Sequence, residues 1–289
     1  MKPNQTKKFY FASSFFRKMF LAILVLPFTL SFSVALGEKT PVVLVHGILS
    51  SVDELTEAKA WFASNLDCEI FSIEVGDGKL DSITKPMSWQ LEALTYTINS
   101  IAPLRDQKFH LIGFSQGGLL ARAFAETSEA WRVKTLMTFG TPHMGIYLYS
   151  DPSIYSVKSQ SELSFANYYK DPFNIPLYLR NCTFLPIING EVDSGLTLYN
   201  KVDNFVMVWS PLDEVIRPKE SGKYEYYMEN SFTIVPLLLS ETFNKNYAGI
   251  RSMFTENRVQ FVETDCGHRE FKSVDCLEKY KEPILRFLK

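Results

Sequence analysis

One stretch, Phe109-His110-Leu111-Ile112-Gly113-Phe114-Ser115-Gln116-Gly117-Gly118, constrains the fold of this chain more than any other. An apolar run ends in Gly-x-Ser-x-Gly, and Gly118-Leu119-Leu120-Ala121-Arg122 then opens a helix-compatible run. That order predicts a strand, a sharp turn carrying a serine, and a helix. The turn strains the serine backbone, so the positions two residues to either side accept only hydrogen as a side chain. Gly113 and Gly117 occupy them. Gly-x-Ser-x-Gly alone also fits an ordinary surface turn, and the flanking runs supply the specificity.

The same strand-then-helix rhythm continues along the chain. Pro41-Val42-Val43-Leu44-Val45 is a continuous β-branched run, as in a strand buried on both faces of a parallel sheet, and it stops at His46-Gly47. A helix is expected over residues 54–65 and a second strand over 68–75, closed by the Gly76-Asp77-Gly78 turn. An amphipathic helix over 89–98 then leads to the serine stretch. Beyond it, strands are expected at 133–140, 204–209 and 258–263, with a last helix over 275–288. Residues 146–202, rich in Tyr, Asn, Pro and Ser, and 219–254, aromatic and apolar, lose the rhythm and read as lid insertions. The expectation is a single α/β domain at 38–289, with a doubly wound, mostly parallel sheet and lids at about 146–202 and 219–254.

Composition matters chiefly where it is uneven. The 289 residues are 46% apolar and 21% charged, enough for a sizeable core, and the formal charge of −2 points to neither nucleic acid nor an anionic membrane surface. Residues 1–37, however, hold five basic and no acidic side chains, and the remainder carries a net −7. The uncharged run Met19-Phe20-Leu21-Ala22-Ile23-Leu24-Val25-Leu26 follows the last of those bases, and Ala35 and Gly37 stand two apart. Residues 1–37 therefore read as a signal peptide cleaved after Gly37, leaving no membrane span. The other reading is an uncleaved anchor, against which Pro27 and the Ser/Thr-rich second half count.

Secretion places Cys68, Cys182, Cys266 and Cys276 in an oxidising compartment. Cys266 and Cys276 flank a short segment and form the expected bridge, which leaves Cys68 with Cys182; buried free thiols are the alternative. No Cys-x-x-Cys suggests a metal, and no phosphate loop or other cofactor motif occurs. Asn181-Cys182-Thr183 is a glycosylation sequon and requires an exposed loop; Asn4-Gln5-Thr6 also fits but lies in the segment to be removed.

A serine hydroxyl becomes a competent nucleophile when a base takes its proton and a third group orients that base. In open α/β sheets such groups sit at the carboxyl ends of strands. Of four histidines, His110 lies inside a strand, His46 precedes the serine, and His143 precedes any suitable acid. His268, after the last strand, satisfies the order serine, acid, histidine. Asp213 follows the strand at 204–209 and is the expected acid, ahead of Glu214 and Asp203, while Asp193 reads as a turn residue. A tetrahedral intermediate needs two aimed backbone N–H groups, expected from Gln116 and from Ile48 in the loop after the first strand. The Gln116 side-chain amide fits a surface placement equally well, with only its main chain involved, and the aromatic residues at 224–227 are expected to line or cap a groove.

With these residues placed, the chain resembles the palmitoyl-protein thioesterase family of α/β-hydrolases, including its second, broader acyl-thioesterase branch. The resemblance is carried by Val45-His46-Gly47, Gly113-Phe114-Ser115-Gln116-Gly117-Gly118 and Asn167-Tyr168-Tyr169-Lys170-Asp171-Pro172. Tyr178-Leu179-Arg180-Asn181, Ile187-Ile188-Asn189-Gly190-Glu191, residues 206–213 and His268 extend it. It implies a glycosylated lysosomal or secreted enzyme that cleaves long fatty acyl thioesters, with Ser115, Asp213, His268, Ile48 and Gln116 in the family's positions. The family's aromatic–histidine pair before Asp-Pro is replaced here by Tyr169-Lys170. An oxygen-ester lipase and a non-catalytic lipid-binding protein are the competing functions.

Overall fold

Every side chain of Val42–Val45 is buried, as a strand covered on both faces requires. This strand, β1, is followed by β2 (Ile70–Ile73), β3 (Phe109–Phe114), β4 (Val133–Phe139) and β5 (Val202–Trp209). A hairpin of β6 (Tyr226–Tyr227) and β7 (Ile234–Val235) and then β8 (Val259–Glu263) complete the strands of the described residues. The computed structural model describes residues 39–128 and 132–289, so the expected signal or anchor segment at 1–37 lies outside the described residues. β2-β1-β3-β4-β5-β8 form one sheet in that order, and all five pairings are parallel.

The two-residue period of a strand sends alternate side chains to opposite faces, and two cores result. Val43, Leu111 and Phe205 face one core with Leu120 and Phe124 of the helix Gln116–Thr127. Val42, Ile112 and Val206 face the other, with Trp61 and Phe62 of the helix Thr56–Asn65 and Leu277 from the C-terminal end. Each fully buried Leu, Ile or Phe contributes about 1.5–3 kcal/mol. This is the doubly wound α/β-hydrolase architecture, with β3 near the middle of the sheet and its carboxyl end delivering Ser115.

Two expectations are corrected. The last helix is two, Val274–Lys279 and Lys281–Leu285, because Pro283 has no N–H to give the Lys279 carbonyl and its ring crowds it. Residues 146–202 and 219–254 do consist of short helices and the hairpin, yet Tyr168, Tyr178, Tyr224, Tyr226 and Ile250 from them are buried in the same core as the helix Gln116–Thr127. These segments contribute to that core, and their aromatic content reflects that burial. The second correction concerns Cys68 and Cys182, which are free thiols, while Cys266 and Cys276 are bridged.

Candidate active site

Ser115 occupies the turn between β3 and the helix Gln116–Thr127 at φ 55° and ψ −125°. A non-glycine residue held there costs on the order of 1–3 kcal/mol, which the packing around it must offset. Its N–H donates to the Phe139 carbonyl at 2.8 Å, and Thr141 Oγ1 donates to its carbonyl at 3.0 Å. The flanking glycines are required by backbone contacts. A Cβ on Gly113 would stand 2.4 Å from the Gly117 carbonyl oxygen, and one on Gly117 would stand 2.2 Å from that of His46. Gly117 thus lets the helix abut the loop after β1.

The loops after β5 and β8 bring two more side chains to the serine. His268 Nε2 lies 3.0 Å from Ser115 Oγ, and His268 Nδ1 lies 2.8 Å from Asp213 Oδ2. A proton on Nδ1 shared with Asp213 leaves Nε2 free to accept from the serine. Asp213 is 8% exposed, and its other oxygen, Oδ1, accepts the N–H groups of Val215 and Ile216, both at 2.9 Å. Those bonds hold the carboxylate in plane and leave Oδ2 for the imidazole. Glu214, the second choice of acid from the sequence, instead accepts the backbone N–H of His268 at 2.9 Å. Glu270 accepts that of Gly267 at 2.6 Å, and the Cys266–Cys276 disulfide encloses the same loop. Asp203 pairs with Lys108 away from this site.

Ile48 is half-buried beside this group, in the loop after β1. The Gly47 carbonyl lies 2.9 Å from His46 Nδ1, and Val75 N–H donates to His46 Nε2 at 3.1 Å. A carbonyl only accepts, so Nδ1 donates to Gly47 and restrains the peptide plane carrying the Ile48 N–H, while Nε2 also faces Glu74 Oε1 at 2.9 Å. The Gln116 side chain is not a surface group: at 1% exposure it donates to the Ser82 carbonyl at 2.7 Å and accepts from Tyr168 Oη at 2.9 Å. An amide just past the turn looks solvent-facing in sequence because its partners lie 34 and 52 residues away.

Ser115 and His268 open into a cavity of about 480 Å³, walled by Ile48, Leu49, Leu55, Phe114, Val215 and Phe271 among others. Its lining is more apolar than polar, as an acyl chain requires. No residue of 146–202 or 219–254 lines it among the described residues. The aromatic residues at 224–227 therefore do not line this cavity.

The family model described as Palmitoyl protein thioesterase matches residues 41–268, from the start of β1 to His268. The chain belongs to this family. It is 33% identical over 271 residues to "Palmitoyl-protein thioesterase 3" of Dictyostelium discoideum, covering 87% of this chain and 93% of that protein. It is 28% identical to the "Lysosomal thioesterase PPT2 homolog" of Drosophila melanogaster, covering 77% and 83%. A lipase-esterase related protein from Clostridium acetobutylicum, 13% identical and covering 87% of this chain and 95% of its own, shares the fold with a TM-score of 0.51.

Two of this thioesterase's motifs meet in a buried polar knot. Lys170 is ion-paired with Glu191 and lies over the rings of Tyr178 and Tyr226, with Tyr178 Oη also donating to Glu191. Tyr226 donates to the Lys170 carbonyl at 2.5 Å. Asn181, the sequon residue, ends the helix Ile175–Asn181 rather than lying in an open loop; it is half-buried, and its Nδ2 donates to the Tyr155 carbonyl at 3.3 Å.

The other histidines are structural. His110 is fully buried in β3, and burial holds its pKa down at about 3. His143 is also fully buried, stacked on Tyr224 and 2.9 Å from Thr138 Oγ1 through Nε2. Burial, reinforced by the nearby Arg122 guanidinium, holds it well below the ordinary histidine range. Arg122, two turns beyond Ser115 on the same helix, is sealed in with it, bonded to Asn189 Oδ1 at 2.6 Å and to Tyr224 Oη.

Proposed function

We propose that this protein is a serine hydrolase that cleaves long-chain fatty acyl thioesters, on S-acylated proteins or peptides and on acyl-CoA, through an acyl-enzyme on Ser115. The observation that carries the reading is the hydrogen-bonded series Ser115–His268–Asp213, opening on an apolar cavity. His268 Nε2 takes the Ser115 proton as Oγ attacks the thioester carbonyl. Asp213 holds the imidazole and stabilises the imidazolium. Ile48 and Gln116 N–H groups bind the oxyanion. The C–S bond then breaks; the departing sulfur carries the electron pair and collects the proton from His268. With a thiol pKa of about 8.5, sulfur leaves more readily than an alkoxide. Water, deprotonated by His268, attacks the acyl-serine and releases the fatty acid, returning the proton to Ser115.

The proposal extends to a single domain at 38–289, with residues 146–202 and 219–254 as lids, and to entry through a signal peptide at 1–37. Residence in the lysosome or outside the cell belongs to the same reading, supported by the relatives named lysosomal thioesterases, as does glycosylation at Asn181, which requires its Nδ2 to leave the Tyr155 carbonyl. The purified mature enzyme, assayed on matched thioesters and oxygen esters of increasing chain length, tests the substrate class. The expected result is higher kcat/KM on thioesters, rising with chain length to about C16. Preference for oxygen esters would make it a lipase, and retention of lipid without turnover would make it a binding protein.

A further inference from the structure

Both proposed oxyanion donors are tied to a single residue outside the catalytic series. Ser82 lies on the short helix Asp81–Thr84 after β2 and is 1% exposed. Its hydroxyl donates to the Lys79 carbonyl at 2.8 Å, and its free lone pair accepts the Leu49 N–H at 2.9 Å. Leu49 directly follows Ile48 and is held at φ 53°, a conformation a leucine adopts only when its surroundings impose it. The Ser82 carbonyl accepts Gln116 Nε2 at 2.7 Å, while its own N–H donates to the Gly78 carbonyl at 2.8 Å.

One side of Ser82 therefore sets the loop that carries the Ile48 N–H, and the other sets the residue that carries the Gln116 N–H. Gln90 Nε2 also donates to the Ser82 carbonyl, at 3.2 Å, and Gln90 Oε1 accepts from Gln116 Nε2 at 3.0 Å, so the Gln116 arm is braced twice. The Leu49 N–H is held by the hydroxyl, and the only other restraint on this loop's oxyanion peptide among the described residues is the His46 contact to the Gly47 carbonyl. Without the hydroxyl, Leu49 can relax toward negative φ, turning the Ile48–Leu49 peptide and swinging the loop.

We infer that Ser82 is a positioning residue whose hydroxyl sets the spacing between the two oxyanion donors. The inference rests on the hydrolase reading above. A positioning role acts on the charged tetrahedral species and hardly at all on the ground state. The test compares wild type, Ser82→Ala and Ser82→Thr on a palmitoyl thioester, with active sites counted by fluorophosphonate labelling. Affinities for a long-chain trifluoromethyl ketone, which forms a tetrahedral adduct, and for palmitate are measured alongside.

Ser82→Ala should lose about 10- to 100-fold in kcat per labelled site with KM changed less than about 3-fold. Ketone affinity should fall in parallel while palmitate affinity holds, and Ser82→Thr, which keeps the hydroxyl, should recover most of the rate. Wild-type turnover per site in Ser82→Ala, equal weakening of ketone and palmitate, or equal loss in both variants would overturn the role. Turnover surviving in Ser115→Ala would instead overturn the hydrolase reading itself.

Discussion

His268 and His143 are built alike at first sight and differ in what their surroundings allow. Each follows a sheet strand, and each has Nε2 about one hydrogen bond from a hydroxyl, Ser115 Oγ at 3.0 Å or Thr138 Oγ1 at 2.9 Å. His268 has an aspartate behind it and a cavity in front. His143 has aromatic rings against it, a guanidinium nearby and no opening. A base has to gain and lose a proton during each turnover, and in the proposed mechanism Asp213 stabilises the charged imidazole. Arg122 and burial oppose it at His143. On the proposed mechanism the same side chain is a shuttle in one place and a neutral packing element in the other.

The largest effect that could break this comparison comes from exchanging the histidines' fates. His268→Ala should lower kcat by about 10⁴-fold or more, whereas His143→Gln should keep kcat within about 3-fold per folded molecule and lower Tm. Comparable loss of turnover in both would erase the distinction. Asp213→Asn should cost about 10⁴-fold in kcat, because the amide offers the wrong partner to Nδ1 and favours the wrong tautomer. Circular dichroism should show that variant folded.

Smaller effects sharpen the buried side. Arg122→Met should cost about 2–5 kcal/mol of stability in denaturant unfolding, since Asn189 Oδ1 and Tyr224 Oη lose their partner in the interior. Glu126, on the same helix, is fully buried, and burial pushes its carboxyl up to about 8 against the pull of Arg122. A carboxyl raised on folding adds stability that is complete at low pH and fades as pH climbs from its unfolded value to about 8. The depressed histidines work in the opposite sense, adding stability that is lost as pH falls below about 6.5. Between about pH 6.5 and 8 Glu126 therefore acts without them, and Tm should decline across that window in the wild type but not in Glu126→Gln.

The sheet and the triad candidates were legible because each depends on local pattern and chain order. β1 and β3 are continuous apolar runs, the serine turn carries its glycines with it, and only His268 follows all the suitable acids. What stayed hidden depends on long-range partners. Nothing near Gln116 announces that its amide is buried against Ser82 and Tyr168, and nothing near Ser82 distinguishes it from other loop serines. Glu214 reads as a spare acid and turns out to hold the backbone of His268. Tyr224 and Tyr226 look like groove residues by their aromaticity and are buried by partners, Arg122 and Lys170, 102 and 56 residues away.

Intact-mass analysis of rapidly quenched enzyme with a palmitoyl thioester decides whether Ser115 carries the acyl group. A transient palmitoyl adduct is expected, placed on Ser115 by peptide mapping and absent from Ser115→Ala, with turnover in that variant down by about 10⁴-fold or more. An adduct on another residue, or near wild-type turnover in Ser115→Ala, would contradict that assignment.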